Sequence, residues 1–170
     1  MKIFWAFLFL PLFSCSQVHP DPRISNPEYA GMLQKLLKHD VPEISCDSLF
    51  RNFSNFTLLD TRTAEEYQTS HLKAALFVDY DEFRLENLPL IPKDRPVVCY
   101  CSVGYRSEKI TAVLRKAGYK QVYNLYGSIF EWANRGYPVF DSSGMQTRKV
   151  HGYNARWSRW IANPDFQVLY

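Results

Sequence analysis

The sequence predicts an α/β protein in which a parallel sheet is covered by helices on both faces, and three observations carry that prediction. Apolar runs of strand length, "FTLLDTR" at 56–62 and "PVVCYC" at 96–101 among them, alternate along the chain with stretches of helical period. The most apolar run leads at once into a short polar loop with a glycine and then into a helix, which is how parallel sheets leave a strand at the edge where ligands bind. With 170 residues, 46% of them hydrophobic and 22% charged, there is material for one core of normal size and little for a second.

The elements follow in order. Ser25 or Asn26 before Pro27 is a helix start, and Tyr29, Met32, Leu33, Leu36 and Leu37 recur at helical spacing up to about Lys38. A short strand is expected over 41–45 and a helix over 46–53. The run 56–62 reads as a buried strand that ends in Asp60 and Arg62. "AALFVDY" supplies another strand at 74–78, and 81–85 a short helix. A loop punctuated by Pro89, Pro92 and Pro96 precedes the central strand, and a helix then runs from about Arg106 to Ala117 with Gly118 as its stop. "QVYNL" is the last strand and 128–135 the last helix.

The first residues, "MKIFWAFLFLPLFSC", place one lysine before an apolar stretch from Ile3 to Phe13, interrupted by Pro11. That stretch is far short of the roughly 20 residues of a transmembrane helix and has the size of a signal-peptide core. Its end, Leu12-Phe13-Ser14-Cys15, resembles the lipobox of bacterial lipoproteins, where the signal is cut before a cysteine whose thiol carries a diacylglycerol. The resemblance implies a signal peptide at 1–14 and a lipidated Cys15; the polar residues up to 26, with two prolines and no apolar period, read as a tether, ahead of a domain over 27–140 and an aromatic-rich extension over 141–170. The lipobox resemblance also implies a lipid anchor on a bacterial membrane, with the protein facing the periplasm or the cell exterior.

A net charge of +3, with no run of five like charges, argues against a nucleic-acid surface. Lipidation of Cys15 leaves Cys46, Cys99 and Cys101, an odd number, so at least one thiol stays free. Cys99 and Cys101, two apart on one apparent strand, are not expected to bond each other. Metal binding is not expected: Cys-x-Cys is tighter than usual ligand spacing, and His19, His39, His71 and His151 are scattered.

The six residues Cys101 to Arg106 form the whole strand-to-helix turn. Gly104 gives that turn the freedom to curl successive N–H groups toward one point. Those donors and the positive end of the following helix form an anion site that lowers the pKa of Cys101 and makes it a candidate nucleophile. The competing reading of Cys101 is a small core residue at a strand end. Cys99, one pleat earlier with Val97 on its face, is assigned to the core.

"LLDTRTAEEYQTSHLKAAL", then "VVCYCSVGYRS", then "AGYKQVYNLYGSIFEWANRGYPV" together resemble the rhodanese domain, over roughly residues 40–140. The resemblance implies a three-layer rhodanese-like fold with a five-stranded, mainly parallel sheet. It implies a sulfurtransferase in which Cys101 takes the outer sulfur of thiosulfate or a similar small anion as a persulfide and passes it to a thiophilic acceptor, without a cofactor. In that family a six-residue loop ending in arginine goes with sulfur transfer, and phosphatases have Cys-x5-Arg; the count here is Cys-x4-Arg. Loop residues Ser102, Val103, Gly104, Tyr105, Arg106 and Ser107 are the expected substrate-binding set. Arg106 either orients an anionic donor or pairs with a carboxylate to brace the loop. Asp60 and Arg62 are expected to support the loop, Glu66 and His71 match the family pattern in the same segment, and Tyr105 points to a narrow or aromatic-lined mouth. Ser128 stands where many relatives have a glycine, in a turn expected to lie away from the chemistry. In the extension, Tyr153, Trp157, Trp160 and Ile161 recur at near-helical spacing, favouring a helix strapped across the core over one lying on a membrane. The protein is expected to be a monomer. The alternatives are a non-catalytic binding module and, behind it, a phosphatase or arsenate reductase.

Overall fold

The computed structural model describes residues 22–170, so the expected signal peptide and lipidation at Cys15 lie outside the described residues. Five strands form a parallel sheet: β1 (Glu43–Ile44), β2 (Thr57–Asp60), β3 (Leu76–Phe77), β4 (Val97–Tyr100) and β5 (Val122–Leu125), in the spatial order β1-β5-β4-β2-β3. The α/β class and the five parallel strands are those the sequence predicts. Strand β4 is central, with Asp60 opposite Tyr100 on one side and Asn124 opposite Cys99 on the other. Its four residues are all buried because helices cover both of its faces.

The side-chain period of two sorts these strands into two cores. Leu59, Val97, Cys99 and Val122 pack with Ile110 and Leu114 of α4 (Tyr105–Lys116, the fourth helix in the chain). Leu58, Val98, Tyr100 and Leu125 pack on the other side with α1 (Pro27–Leu36), α2 (Cys46–Arg51) and α5 (Ser128–Asn134). Asn26 caps α1, its side chain accepting from the amides of Glu28 and Tyr29, and Pro27 occupies the first turn. Helix α3 (Ala64–Thr69) starts at a reciprocal cap in which Thr63 and Glu66 each satisfy the other's amide.

Three expectations are corrected. Residues 81–85 are not helical: the Asp79 side chain accepts from the Asp81 amide and turns the chain, and a single 3-10 turn follows at Leu85–Asn87. The tether does not extend to residue 26, because Ile24 is buried in the main core and Ser25 bonds Glu131 through both its amide and its hydroxyl (2.8 and 3.0 Å). The extension is not one helix. After a hairpin of β6 (Val139–Phe140) and β7 (Gln146–Thr147), β8 (Lys149–His151) pairs in parallel with β9 (Gln167–Leu169), and only one helical turn, α6 (Ala155–Ser158), lies between them. Gly152 enforces this fold-back, since a Cβ there would sit 2.5 Å from Ser158 Cβ. The extension does strap the core: Trp160 stacks on Tyr29 at 5.5 Å, and Val150, Trp160, Ile161 and Phe166 belong to the same cluster as the sheet residues.

Candidate active site

Strand β4 ends at Tyr100, and the chain turns through Cys101–Gly104 into α4. Gly104 sits at φ +113°, a left-handed conformation that favours glycine, and this turns its amide back to donate to Cys101 Sγ at 3.1 Å. The loop is clamped from behind by α5: the amides of Ile129 and Phe130 donate to the carbonyls of Cys101 and Ser102 (3.2 Å each). From β5, Asn124 Nδ2 donates to the Gly104 carbonyl at 3.1 Å, while Asn124 Oδ1 accepts from the Ser107 hydroxyl at 2.6 Å.

Burial pushes the Cys101 thiol up, but the charge of Arg106 and the amides of Ser107 and Gly104 pull it down by more, so its pKa lies below the ordinary thiol value. The contrast with its neighbours is instructive. Burial outweighs the Thr111 hydroxyl at Cys99 and the Arg135 charge near Cys46, pushing Cys99 up to about 12 and Cys46 well above its usual value. All three thiols are free, and Cys99 occupies the core position expected of it. Cys101 is only 1% exposed, yet it forms the floor of a cleft of about 370 Å³ to which Ser102, Val103, Tyr105 and Arg106 also contribute.

Arg106 braces the loop. Its two terminal nitrogens take the two carboxylate oxygens of Glu66 at 2.8 Å each, and one also donates to Ser102 Oγ at 2.9 Å. Ser102 Oγ in turn donates to Glu66 at 2.6 Å, so the side chain of Ser102 points into this network. Burial works against the charge on Glu66, yet the hydrogen bonds and charge of Arg106, with help from Arg62 and Ser102, hold its carboxyl down at about 2.

Asp60 and Arg62 form a fully buried fork (2.6 and 2.9 Å) behind the site, and Arg62 also bonds the Ser70 carbonyl. Neither lines the cleft. His71 stacks on Tyr67 and pairs its backbone with Phe140, anchoring the hairpin.

Several neighbours of Cys101 have no local signal in the sequence. Ser128 is one, and its expected remoteness is overturned: its Oγ accepts the Cys101 amide at 3.1 Å and donates to the Leu125 carbonyl at 3.1 Å. Its φ of +51° is the glycine-like turn taken by a serine whose hydroxyl is needed there. Tyr80 enters from the loop after β3, and Tyr153 and Trp157 from the extension, making the aromatic mouth that Tyr105 announces. The Tyr153 ring stands over the Arg106 guanidinium at 5.4 Å.

Comparison with known proteins agrees with this geometry. The family model of the rhodanese-like domain matches residues 46–135. A sulfurtransferase of Allochromatium vinosum is 35% identical over 111 residues, which is 61% of this chain and 99% of that protein. A tRNA uridine(34) hydroxylase of Sodalis glossinidius is 39% identical over 83 residues, 45% of this chain but only 23% of that protein, so the chain spans about a quarter of that relative's length. A crystal structure of a rhodanese-related protein from Thermoplasma volcanium superimposes with a TM-score of 0.54 at 26% identity, covering 58% of this chain and 96% of that one. By family match, by near full-length alignment with a sulfurtransferase and by fold, the chain belongs to the rhodanese-like family.

Proposed function

We propose that the protein is a sulfurtransferase that carries a sulfane sulfur as a persulfide on Cys101, taking it from thiosulfate or a similar donor and delivering it to a thiophilic acceptor. The observation that carries this reading is the set of donors on Cys101 Sγ: backbone amides of Gly104 and Ser107 with the Arg106 charge behind them. Attack needs a thiolate, and the persulfide formed is again an anion, so one cradle serves both states. The thiolate attacks the outer sulfur of thiosulfate, the new S–S bond forms, and sulfite leaves with the electron pair of the broken bond. The acceptor then takes the outer sulfur and returns the thiolate.

The test is thiocyanate formation from thiosulfate and cyanide by the full chain and by Cys101→Ser, beside an aryl-phosphate assay. Sulfur transfer predicts thiocyanate that the substitution abolishes, no phosphate release, and a gain of about 32 Da on the Cys101 peptide. Phosphate release would favour the phosphatase reading, and neither activity would favour a binding module. Resemblance to tRNA uridine(34) hydroxylases supports a second reading, one module of uridine modification in tRNA, and a tRNA hydroxylation assay distinguishes it.

The same proposal places the protein on the outer side of a bacterial membrane through a lipidated Cys15, on the support of the lipobox-like Leu12-Phe13-Ser14-Cys15. Palmitate labelling of the wild type, lost in Cys15→Ala together with membrane retention, is the expected result; a Cys15→Ala protein that stays membrane-bound overturns it.

A further inference from the structure

The cleft above Cys101 is walled by Leu36, Tyr80, Val103, Tyr105, Tyr153 and Trp157. Tyr105 and Tyr153 line the cleft and are 42% and 49% exposed. Charge is scarce there. Among the lining residues the one cation is Arg106, whose terminal nitrogens are held by Glu66 and Ser102, and the one acid is Asp81. Lys109 is not in the lining; its ammonium bonds the Tyr105 hydroxyl at 2.8 Å and stands against the Tyr105 and Tyr80 rings at 4.1 and 5.8 Å. The amides and charge around Cys101 Sγ serve a small donor anion at the cleft floor, whereas the walls above it offer an apolar group burial of its own surface and of the rings.

Two of the walls come from the extension beyond the matched family residues, which end at 135. Tyr153 is held at φ +67°, a left-handed conformation that is strained for a tyrosine. Neighbouring contacts enforce it: the Tyr153 amide donates to His151 Nδ1 at 3.1 Å, and the Gly152 amide to the Leu169 carbonyl at 2.7 Å. The result of that strain is to set the ring over Arg106 at the cleft mouth. Backbone strain that ends in a ring placed beside the nucleophile is a positioning device.

We infer that Tyr153 and Trp157 are specificity residues that select, as sulfur acceptor, an organic thiol bearing an apolar, aromatic-sized group in preference to small or highly charged acceptors. The inference rests on the persulfide reading of Cys101. In the step concerned, the acceptor thiol has lost its proton to solvent and its thiolate attacks the outer persulfide sulfur. A bond forms between the two sulfurs, the bond to Cys101 Sγ breaks with its electron pair on Sγ, and the acceptor leaves as an organic persulfide anion. No oxidant or reductant is consumed.

The experiment is a single-turnover discharge. The full chain is loaded with thiosulfate or inorganic polysulfide and desalted, and loss of the 32 Da adduct is timed with benzyl mercaptan and with 2-mercaptoethanesulfonate, two alkyl thiols of similar basicity. Rates are divided by those of the same thiols with a small-molecule persulfide. Benzyl mercaptan is expected to discharge the protein at least about tenfold faster, a difference of about 1.4 kcal/mol that partial burial of one phenyl ring supplies. Tyr153→Gly, which fits the left-handed backbone and removes only the ring, and Trp157→Ala are each expected to lower that preference at least about threefold. A wild-type ratio near one, or a ratio that both folded variants retain, overturns the inference and leaves the sulfurtransferase reading standing. Failure of both donors to load Cys101 overturns both.

Discussion

Glu66 and Arg106, forty residues apart, face each other as a two-pronged ion pair at 2.8 Å, and this pair fixes the end of the loop that surrounds the Cys101 sulfur. The guanidinium is thus a brace and a source of field at once.

Arg106→Gln removes the largest influence that favours the thiolate, so the pH midpoint of persulfide formation is expected to rise, with slower loading below that midpoint. It also strands a buried carboxylate, at a cost of about 3 kcal/mol of stability. The double change Glu66→Gln/Arg106→Gln is expected to recover most of that stability and none of the thiol acidity. A pH–rate profile and urea unfolding of the three proteins check this, and recovery of both properties together would refute the separate roles. In the wild type, Glu66 titrates at about 2 instead of the usual 4.5, so its contribution of about 3 kcal/mol is complete above pH 4.5 and is lost as pH falls toward 2.

Ser128 behind Cys101 carries two opposed effects. Ser128→Ala leaves the buried Cys101 amide without its acceptor and keeps the strained φ, costing about 1–3 kcal/mol. Ser128→Gly loses the same bond but relieves the backbone, so it is expected to be more stable than Ser128→Ala by about 1 kcal/mol. Urea midpoints in the reverse order would show that the turn is not strained.

Asp60 and Arg62 test support against chemistry. Both are fully buried, and neither lines the cleft. Asp60→Asn leaves the guanidinium charge uncompensated and is expected to cost about 3–5 kcal/mol in urea unfolding. A loss under 1 kcal/mol would mean that the fork is not what holds this end of β2.

What the sequence shows and hides follows from range. The turn from Tyr100 to Arg106 is legible because an apolar strand, a glycine and a helix start are all local. The partners of that turn are not, because Glu66, Asn124 and Ser128 reach it only through the sheet order, and Glu66 has a sufficient local role as a helix cap. Ile24 reads as part of a polar tether because one apolar residue has no period. The extension misleads for the opposite reason: Tyr153, Trp157 and Trp160 do have helical spacing, but Gly152 and the left-handed Tyr153 bend the chain so that Trp157 faces the cleft and Trp160 faces Tyr29.

The three thiols of the described residues are expected to separate in reactivity. Cys101 opens on the cleft and has a lowered pKa, whereas burial raises Cys46 and Cys99 and keeps reagent from them. Iodoacetamide at pH 7, followed by peptide mass spectrometry, is expected to label Cys101 at least about tenfold faster than either of the others, with Cys46 and Cys99 reacting only in urea. Because the thiolate is the reactive form, the Cys101 rate rises with pH and levels off below the pH at which an ordinary thiol does. Arg106→Gln moves that plateau upward. Equal labelling of all three cysteines under native conditions would mean that reagent reaches them by unfolding, and that the cleft does not give access to Cys101.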